Sequence, residues 1–305
     1  MANPLTFVIV PTFKERSHVE RLLNCFAHAD NRNVVVLIVN GNPGDDTSRY
    51  LEELHNGAIL ELPGNPSLFW SGLVSLGLQH VLRQQHEPEF VILMNADVEF
   101  DHPMLNRLIG KARTIPDCQL AAVTLSNRTI ISSGVKVISW LLTLNRHPLA
   151  GVQLEDLPAD TLIPVDFLPA RCTLIPFTAV RQAGLIAEKS LPHYGADNEY
   201  TNRLRKLGWQ PFIYTGSQVS LDAQNTGSDV FHKRLPFRMR VGSLHSIKSS
   251  SNLVYRLRFI RLTYPIYAWP SAMLLYTLRT ILEVFLGGSA IKLLFPQRES
   301  GFSGS

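Results

Sequence analysis

The chain has 305 residues, of which 45% are hydrophobic, 18% charged and 9% aromatic. This composition is that of a globular protein with a sizeable core, and it excludes a disordered, collagen-like or coiled-coil chain. The three cysteines, Cys25, Cys118 and Cys172, are scattered and lack metal-ligand spacing, which indicates a reducing compartment rather than a disulfide framework. The first residues carry no secretory signal pattern, so the sequence predicts a cytoplasmic protein.

The positive charge of the chain lies at one end. Residues 1–228 carry 18 Lys and Arg against 22 Asp and Glu, whereas residues 229–305 carry 11 against 3. The net charge of +4 therefore comes from the tail. A basic tail is typical of contact with nucleic acid, anionic lipid or a phosphorylated substrate.

Short apolar segments alternate with amphipathic ones over the first 125 residues. The pattern predicts strands at 7–10, 34–39, 59–62, 90–94 and 120–125, and helices at 16–29, 47–54, 71–84 and 103–114. Uniformly apolar strands that alternate with helices indicate a mostly parallel sheet covered on both faces, which is a doubly wound α/β domain. In such sheets, ligands bind beyond the carboxyl ends of the strands.

The middle of the chain changes character before the alternation resumes. Residues 126–165 have weaker periodicity and are interrupted by Gly134, Pro148, Gly151, Pro158 and Pro164, which predicts an extended insertion with short strands. Beyond it, the pattern predicts strands at 172–175 and 210–214 and helices at 178–184 and 197–208.

The tail contains an uncharged run at 262–278, between Arg261 and Arg279. The run is shorter than a membrane span and is interrupted by Pro265 and Pro270. After Pro270 the spacing predicts a helix with a broad apolar face. That face includes Ala272, Met273, Leu275, Leu278, Ile281, Leu282, Phe285 and Leu286, with Thr277, Thr280, Glu283 and Gly287 on the other side. The tail is therefore expected to lie at a membrane surface, with packing on the domain or a dimer contact as the open alternatives.

Two segments carry the residue types that chemistry needs. The apolar strand at 90–94 delivers Asn95 and Asp97 to its carboxyl end, where a carboxylate suits a divalent cation that also holds phosphate oxygens. Asp197 lies at a predicted helix start, where it is either an N-cap, a positioned general base, or both. Gly-rich phosphate-binding loops, a G-x-S-x-G elbow and an H-E-x-x-H helix are all absent from the sequence, which argues against dehydrogenases, P-loop enzymes, serine hydrolases and zinc proteases.

Five segments in order along the chain resemble family 2 glycosyltransferases of GT-A fold. They are Pro11-Thr12-Phe13 after the first strand, the Asn- and Gly-rich segment 64–72, Met94–Asp97, the strand segment 167–175, and the segment 193–203. The resemblance covers residues 5–227. It implies a catalytic domain at 1–228, with a nucleotide-sugar half at 1–125 and an acceptor half at 126–228, followed by a basic helical extension at 229–305.

The resemblance also implies roles for individual residues. Asp197 is expected to be the general base, with Glu199 as second candidate and His193 as an assisting group. Asp97 and Asp222 are expected to hold a divalent cation, Mg²⁺ or Mn²⁺. The nucleotide sugar is expected to contact Pro11, Thr12, Glu15, Asn40, Asn42, Asn65, Phe69, Trp70, Gly72, Asn95, Ala96, Asp97 and Arg171, although Phe69 and Trp70 are open to a core role and Arg171 to a surface ion pair.

Four positions depart from the family pattern. Asn40 stands where the family has an Asp that binds the nucleobase, so the nucleotide preference is open. Asn95 replaces the first acid of the metal motif, and Ala196 replaces the Glu before the base. The His that follows the last core strand in many members is absent, and two alternatives stay open: Asp222 substitutes for it, or the metal is bound weakly.

The implied activity is inverting transfer of a sugar, of hexosyl or rhamnosyl type (EC 2.4), from a dTDP-, UDP- or GDP-linked donor to an acceptor hydroxyl. The basic tail favours a polyprenyl-linked acceptor of cell-surface polysaccharide synthesis and a membrane-surface location, with a homodimer as an open alternative. A sugar nucleotidyltransferase, a catalytically degenerate glycan- or lipid-binding protein and an RNA-binding tail are the competing interpretations. Nothing besides the interleaved basic and aromatic residues supports RNA, so no nucleic-acid partner is expected.

Overall fold

The computed structural model describes residues 5–27, 33–221, 237–247, 249 and 251–286. The strands in these ranges are β1 (Thr6–Thr12), β2 (Val34–Asn40), β3 (Ile59–Pro63), β4 (Phe90–Met94), β5 (Val98–Glu99), β6 (Cys118–Ser126), β7 (Thr129–Ser132), β8 (Lys136–Ser139), β9 (Leu144–Arg146), β10 (Leu162–Pro164), β11 (Cys172–Pro176) and β12 (Gln210–Leu221). The helices are α1 (Arg16–Ala27), α2 (Asp46–Leu54), α3 (Phe69–Leu82), α4 (Met104–Arg113), α5 (Phe177–Ala183), α6 (Ala196–Lys206), α7 (Phe237–Ser243), α8 (Leu253–Thr263) and α9 (Trp269–Leu286), with 3₁₀ turns at Leu154–Asp156 and Ile266–Ala268.

The central sheet has the strand order β10-β12-β6-β11-β4-β1-β2-β3, and its pairing is mostly parallel. Strands β3, β2, β1 and β4 pair in parallel, as do β6 and β12. Strand β11 lies between β4 and β6 and runs antiparallel to both. The predicted mixed α/β architecture with a mostly parallel sheet is thereby confirmed.

The sheet is covered on both faces because its strands are apolar on both sides. In β1, Val8 and Val10 pack with the buried residues of α1 and α4, while Phe7 and Ile9 pack with α3, α5 and α6 on the other face. Two separate apolar cores therefore hold the sheet, which is why the strands read as continuous apolar runs rather than as alternating ones.

Helix α3 packs closely on β1 because Gly77 faces the strand. A Cβ at this position would lie 2.5 Å from Cγ2 of Ile9 and 3.2 Å from Cγ2 of Val39. Such distances leave no room for a side chain, so the glycine sets the separation between α3 and the sheet. This packing fixes the first turn of α3, which reaches the candidate site.

The insertion contains the short strands that the sequence predicts. Strands β8 and β9 form a separate two-stranded hairpin, and β10 joins the central sheet beside β12. Trp140, between β8 and β9, packs against Phe167 and Tyr264, with ring centroids 5.9 Å and 4.8 Å apart. The hairpin is thereby anchored to the C-terminal segment.

The C-terminal helices pack on the α/β part of the chain. Phe259 and Ile260 of α8, and Ala272 and Tyr276 of α9, belong to the same core as α6. The predicted orientation of α9 is wrong in one respect: Thr280, expected on the polar side, is fully buried and accepts a hydrogen bond from Arg256 at 2.6 Å. The buried side of α9 is therefore small and partly polar, while Leu278, Ile281 and Phe285 are exposed. None of the described helices is long and apolar enough to cross a membrane.

Candidate active site

The candidate site lies at the sheet edge where β1, β2 and β4 end. Asp97 follows β4 by three residues, and Glu15 follows β1 by three residues. Burial raises the pKa of Glu15, and the negative charge of Asp97 raises it further against the opposing effect of His18. The two carboxylates that the sequence placed at separate strand ends therefore lie close enough for their charges to interact.

Arg171 joins this edge because β11 runs antiparallel to β4. Cys172, the first residue of β11, pairs with Met94, the last residue of β4. The backbone carbonyl of Arg171 consequently accepts a hydrogen bond from the backbone N–H of Asn95 at 3.3 Å. Burial lowers the pKa of the Arg171 guanidinium, and the charges of Asp97 and Asp197 act in the opposite direction. Arg171 thus interacts electrostatically with the predicted metal ligand and with the predicted base.

Asp197 is the second residue of α6 and is buried. Its Oδ1 accepts a hydrogen bond from the backbone N–H of Asn198 at 2.8 Å, and its Oδ2 accepts one from the backbone N–H of Ala170 at 3.3 Å. Burial raises the pKa of Asp197, while these hydrogen bonds and the charge of Arg171 partly oppose the shift. A carboxyl group with a raised pKa is suited to accepting a proton near neutral pH.

The N-cap interpretation of Asp197 is wrong. The N-cap of α6 is Gly195, which has a φ of 76° and makes no side-chain cap. Asp197 lies inside the first turn, and its side chain is fixed by the segment before β11 through Ala170. The carboxylate is therefore positioned by tertiary contact rather than by capping its own helix.

Glu199 has a structural partner, contrary to the prediction of a second base. Its Oε1 and Oε2 accept hydrogen bonds from Nε and Nη2 of Arg203 at 2.9 Å and 3.1 Å. The same guanidinium also donates to the backbone carbonyls of Ala183 and Leu185, next to α5. Both carboxylate oxygens are thus engaged in an ion pair that connects α6 to the end of α5.

Asn40 is also engaged within the protein, contrary to the prediction that it contacts the base of the nucleotide. Its Nδ2 lies 3.0–3.1 Å from side-chain oxygens of Asp45, Ser48 and Glu61, and its Oδ1 accepts from the backbone N–H of Asn42. The residue is fully buried. Asn40 therefore shapes the loop between β2 and α2 and does not offer its amide to a ligand.

Trp70 and Asn95 meet at the site. The indole Nε1 of Trp70 donates a hydrogen bond to Oδ1 of Asn95 at 3.0 Å. Trp70 is half-buried against the core on the α3 side of the sheet. The amide that replaces the first acid of the metal motif therefore has its oxygen held by α3, which joins the segment 64–72 to the end of β4.

The remaining predicted residues lie around the same edge. Pro11 and Thr12 are buried at the end of β1, and Thr12 donates a hydrogen bond to Glu15. Asn65 is exposed and holds a turn by accepting from the backbone N–H of Ser67. Gly72 packs against Leu68, and Phe69, the first residue of α3, has a φ of 49°. Ala96 is buried beside Asp97.

His193 lies in the loop that precedes α6. Its ring packs edge-on against Tyr194, with centroids 4.6 Å apart. The neighbouring carbonyl of Pro192 accepts a hydrogen bond from the backbone N–H of Ser71 in α3. This contact places the loop against the first turn of α3, and an assisting role for His193 stays a prediction.

The residues present fit a single carboxylate contact to a cation. Oδ1 of Asp97 is buried and has no hydrogen-bond partner in the described chain, so it is available to a ligand. Among the described residues, no group of three or more His, Cys, Asp or Glu side chains could enclose a metal ion. The other predicted ligand, Asp222, lies outside the described residues and directly follows β12, whose Leu221 pairs with Val98.

Two residues near the site escaped the sequence reasoning. His18 lies near Glu15, and its charge lowers the pKa of that carboxyl. Its spacing of three residues from Glu15 at the start of α1 is the signal that could have identified it. Glu61 accepts hydrogen bonds from both Asn40 and Ser48, a connection between β2, α2 and β3 that has no local sequence signal.

Solved structures confirm the class of fold. The crystal structure of GalNAc-T7 with UDP, GalNAc and Mn²⁺ matches with a TM-score of 0.57 at 13% identity, over 72% of this chain and 44% of that chain. The mannosyltransferase PcManGT from Pyrobaculum calidifontis, in complex with GDP-Man and Mn²⁺, matches with a TM-score of 0.53 at 16% identity, over 97% of this chain and 82% of its own. This chain thus spans less than half of the GalNAc-T7 chain. The likeness establishes a fold of GT-A glycosyltransferase type.

A family model matches the first part of the chain. Residues 7–141 match the model described as glycosyl transferase family 2. The matched segment begins in β1 and includes Asp97, and it ends before Arg171 and Asp197. No curated protein sequence matches the chain.

Proposed function

We propose that the protein is an inverting glycosyltransferase that moves a sugar from a nucleotide diphosphate donor to an acceptor hydroxyl. The observation that carries the proposal is the arrangement of Asp97, Arg171 and Asp197. Asp97 has a buried oxygen without a hydrogen-bond partner, and Asp197 is a buried carboxyl group with a raised pKa. The charges of both interact with the Arg171 guanidinium at the carboxyl-end edge of the sheet. Inverting transfer needs a group that receives the leaving diphosphate and a base that takes the proton of the acceptor.

Asp197 is the proposed base. Its carboxylate takes the proton of the acceptor hydroxyl while the hydroxyl oxygen bonds to the anomeric carbon and the bond from that carbon to the diphosphate breaks. The hydrogen bonds from Asn198 and Ala170 hold the carboxylate in one orientation. A positioned base contributes typically 10²–10⁴-fold to the rate.

Asp97 is the proposed protein contact of a divalent cation, Mg²⁺ or Mn²⁺, with Asp222 as a second candidate. Such a cation, when bound, neutralises charge on the diphosphate. The buried, unpartnered oxygen of Asp97 supports this assignment. The similar structures of GalNAc-T7 and PcManGT contain Mn²⁺ together with a nucleotide or nucleotide sugar.

Arg171 is proposed to act on the same charges from the protein side. Burial lowers the pKa of its guanidinium, and the nearby negative charges of Asp97 and Asp197 raise it. A fixed cation there is suited to stabilise the negative charge that develops on the departing diphosphate. It also favours the charged form of Asp197, which is the form that accepts a proton.

The nucleotide is proposed to bind along the ends of β1 and β2, with Thr12, Glu15 and Asn42 near it, and the sugar near Trp70 and Gly72. A dTDP-, UDP- or GDP-linked donor of hexosyl or rhamnosyl type, and a polyprenyl-linked saccharide acceptor of a cell-surface glycan, complete the proposal. The basic tail with its exposed apolar side chains supports a lipid-linked acceptor.

The proposal is tested by thermal shift with UDP, dTDP, GDP and CMP sugars, each with and without Mn²⁺. A ligand at a hundredfold excess over its Kd stabilises by about 2.7 kcal/mol, which a melting curve resolves. We expect one nucleotide class to raise Tm, and Mn²⁺ to enlarge that shift. The absence of any shift with all four classes would contradict the proposal and would favour a degenerate binding protein.

A further inference from the structure

Helix α9 exposes an apolar stripe along its whole length. Leu274, Leu278, Ile281 and Phe285 follow one another at spacings of three and four residues and are 60%, 48%, 44% and 65% exposed. The opposite side of the helix, with Ala272, Tyr276, Thr280 and Val284, is buried against the protein. The helix is thus apolar on its outer side as well, which a monomer in water does not require.

A second exposed apolar group lies at the tip of the β8–β9 hairpin, and it comes from a distant part of the chain. Ile138, Leu141, Leu142 and Leu144 are all about half exposed or more, and we refer to them as the hairpin tip. Lys136, which pairs with Asp166 at 3.5 Å, and the exposed Arg146 face each other across the two strands at the base of the hairpin. Apolar side chains at the tip with cations behind them are typical of segments that enter the interface of a bilayer.

The hairpin and α9 both contact Tyr264, which is buried and also packs against Tyr276 on the buried side of α9. Its ring packs against Trp140 of the hairpin with centroids 4.8 Å apart, and its carbonyl accepts a hydrogen bond from the indole of Trp269 at the start of α9. Ile266 and Tyr267, between these contacts and the stripe, are 76% and 66% exposed. Exposed apolar side chains are therefore present on three neighbouring segments of the chain's surface: the hairpin, the α8–α9 connection and α9.

The charge of the C-terminal residues indicates what binds this exposed apolar surface. Residues 237–286 contain seven Lys and Arg and one acidic residue, Glu283. Among them, Arg258 and Arg261 of α8 are exposed. A second copy of this chain would bring like charges together across a two-fold contact, whereas an anionic lipid surface supplies the opposite charge.

We propose that the α9 stripe and the hairpin tip together form a docking face for an anionic membrane surface. Trp140 of the hairpin packs against Phe167, and Phe167 lies three residues before Ala170, whose backbone N–H donates a hydrogen bond to Asp197. Docking would therefore hold the acceptor side of the proposed active site near the lipid. The surface does not depend on the chemistry proposed at Asp97 and Asp197, and it is tested separately.

The test is sedimentation of the full chain with phosphatidylcholine vesicles, with or without 30–40 mol% phosphatidylglycerol (about the range in which surface charge is strong). We expect binding to the anionic vesicles that falls with added salt, and weaker binding to the neutral ones. Leu142→Ser and the double variant Leu274→Ser/Leu278→Ser should each weaken the partition coefficient by about tenfold or more, because each buried leucine contributes on that order.

The control is the double variant Leu54→Ser/Leu60→Ser, which removes two exposed leucines from α2 and β3, away from the stripe and the hairpin. It should bind vesicles like the wild-type chain, and all variants should keep the wild-type Tm in vesicle-free solution. Vesicle binding that is absent in the wild type, or equal in the stripe variant and the control, would overturn the proposal. A wild-type dimer that Leu274→Ser/Leu278→Ser converts to a monomer would assign the stripe to self-association instead.

Discussion

Replacing the proposed base by its amide, Asp197→Asn, separates its chemistry from its place in the fold. The side chain keeps its shape but can no longer take a proton. We expect kcat to fall by about 10²–10⁴-fold, which is the usual contribution of a positioned general base. In free energy this is about 3–5 kcal/mol of lost transition-state stabilisation.

The cost to stability follows from the two hydrogen bonds of the carboxylate. The amide has one oxygen, so either the N–H of Asn198 or that of Ala170 loses its acceptor. A buried donor without a partner costs about 1–3 kcal/mol. Part of this cost is recovered because a neutral amide is easier to bury than a carboxylate. We therefore expect a drop in Tm of a few degrees at most.

The pH dependence of stability gives a second readout of the same change. Burial raises the pKa of Asp197 above its ordinary value of 3.8, so the folded state holds the proton more tightly than the unfolded chain does. The contribution of this group to stability is therefore lost as the pH rises from 3.8 through the raised pKa. Asp197→Asn should remove this decline, so the stability difference between wild type and variant should shrink as the pH rises.

The assay is release of nucleoside diphosphate from the donor that the thermal-shift screen identifies, with donor affinity measured by calorimetry. Asp166→Asn is the matched control, because Asp166 is a half-buried carboxylate whose partners are structural: it accepts from the backbone N–H of Val137 at 2.9 Å and pairs with Lys136 and Arg205. The control should retain kcat, and Asp197→Asn should retain donor affinity. Full activity in Asp197→Asn, or an equal loss in Asp166→Asn, would refute the assignment of the base.

Three further predictions concern the other parts of the site and its support. Asp97→Ala should abolish the part of the nucleotide-sugar thermal shift that depends on Mn²⁺. It should also lower the Tm of the free protein, because the buried guanidinium of Arg171 loses a neighbouring negative charge. An Mn²⁺ effect that persists would remove Asp97 from the cation site. Arg171→Gln should lower kcat and move the acidic limb of the pH–rate profile to higher pH, because the charge of Arg171 lowers the pKa of Asp197; a profile at the wild-type position would show that the guanidinium does not act on the base. Gly77→Ala should lower the free energy of unfolding, measured by urea denaturation, by about 1–3 kcal/mol, because the new Cβ would lie 2.5 Å from Ile9. Gly110→Ala in α4 is the control: its Cβ meets no atom within 4 Å, so it should be neutral or stabilising by up to about 1 kcal/mol.

The sequence predicted the elements well because each has a strong local signal. Strand β4 has the predicted bounds, 90–94, and α1, α2, α4 and α5 differ from the predicted bounds by one or two residues. The patterns are reliable here because apolar strands and amphipathic helices must bury their apolar side chains in the same places whatever their neighbours are. The exit of Asp97 from β4 follows from the same local pattern.

The partners of the polar side chains were predictable only where they are local. Arg203 follows Glu199 by four residues in α6, which is the spacing of a helical ion pair, whereas Asn40 bonds to the distant Glu61. The partner of Asn40 is 21 residues away on another strand, and no period in the sequence connects the two. A polar side chain is available to a ligand only if other side chains of the folded protein do not already hydrogen-bond it.

The sequence by itself determined the layered α/β architecture, the polar edge of the sheet and the basic, apolar tail, because composition and periodicity express these locally. Only the tertiary structure decided that β11 runs antiparallel to β4, which brings Arg171 to Asp97, and that Ala170 fixes Asp197. Only the tertiary structure decided which side of α9 is buried. Thr280 is buried and accepts a hydrogen bond from Arg256, while Leu278 and Phe285, on the other side of the helix, are exposed. The physical reason is that long-range contacts depend on how whole helices and strands pack together, whereas helical and strand periodicity depends on residues that are close in the sequence.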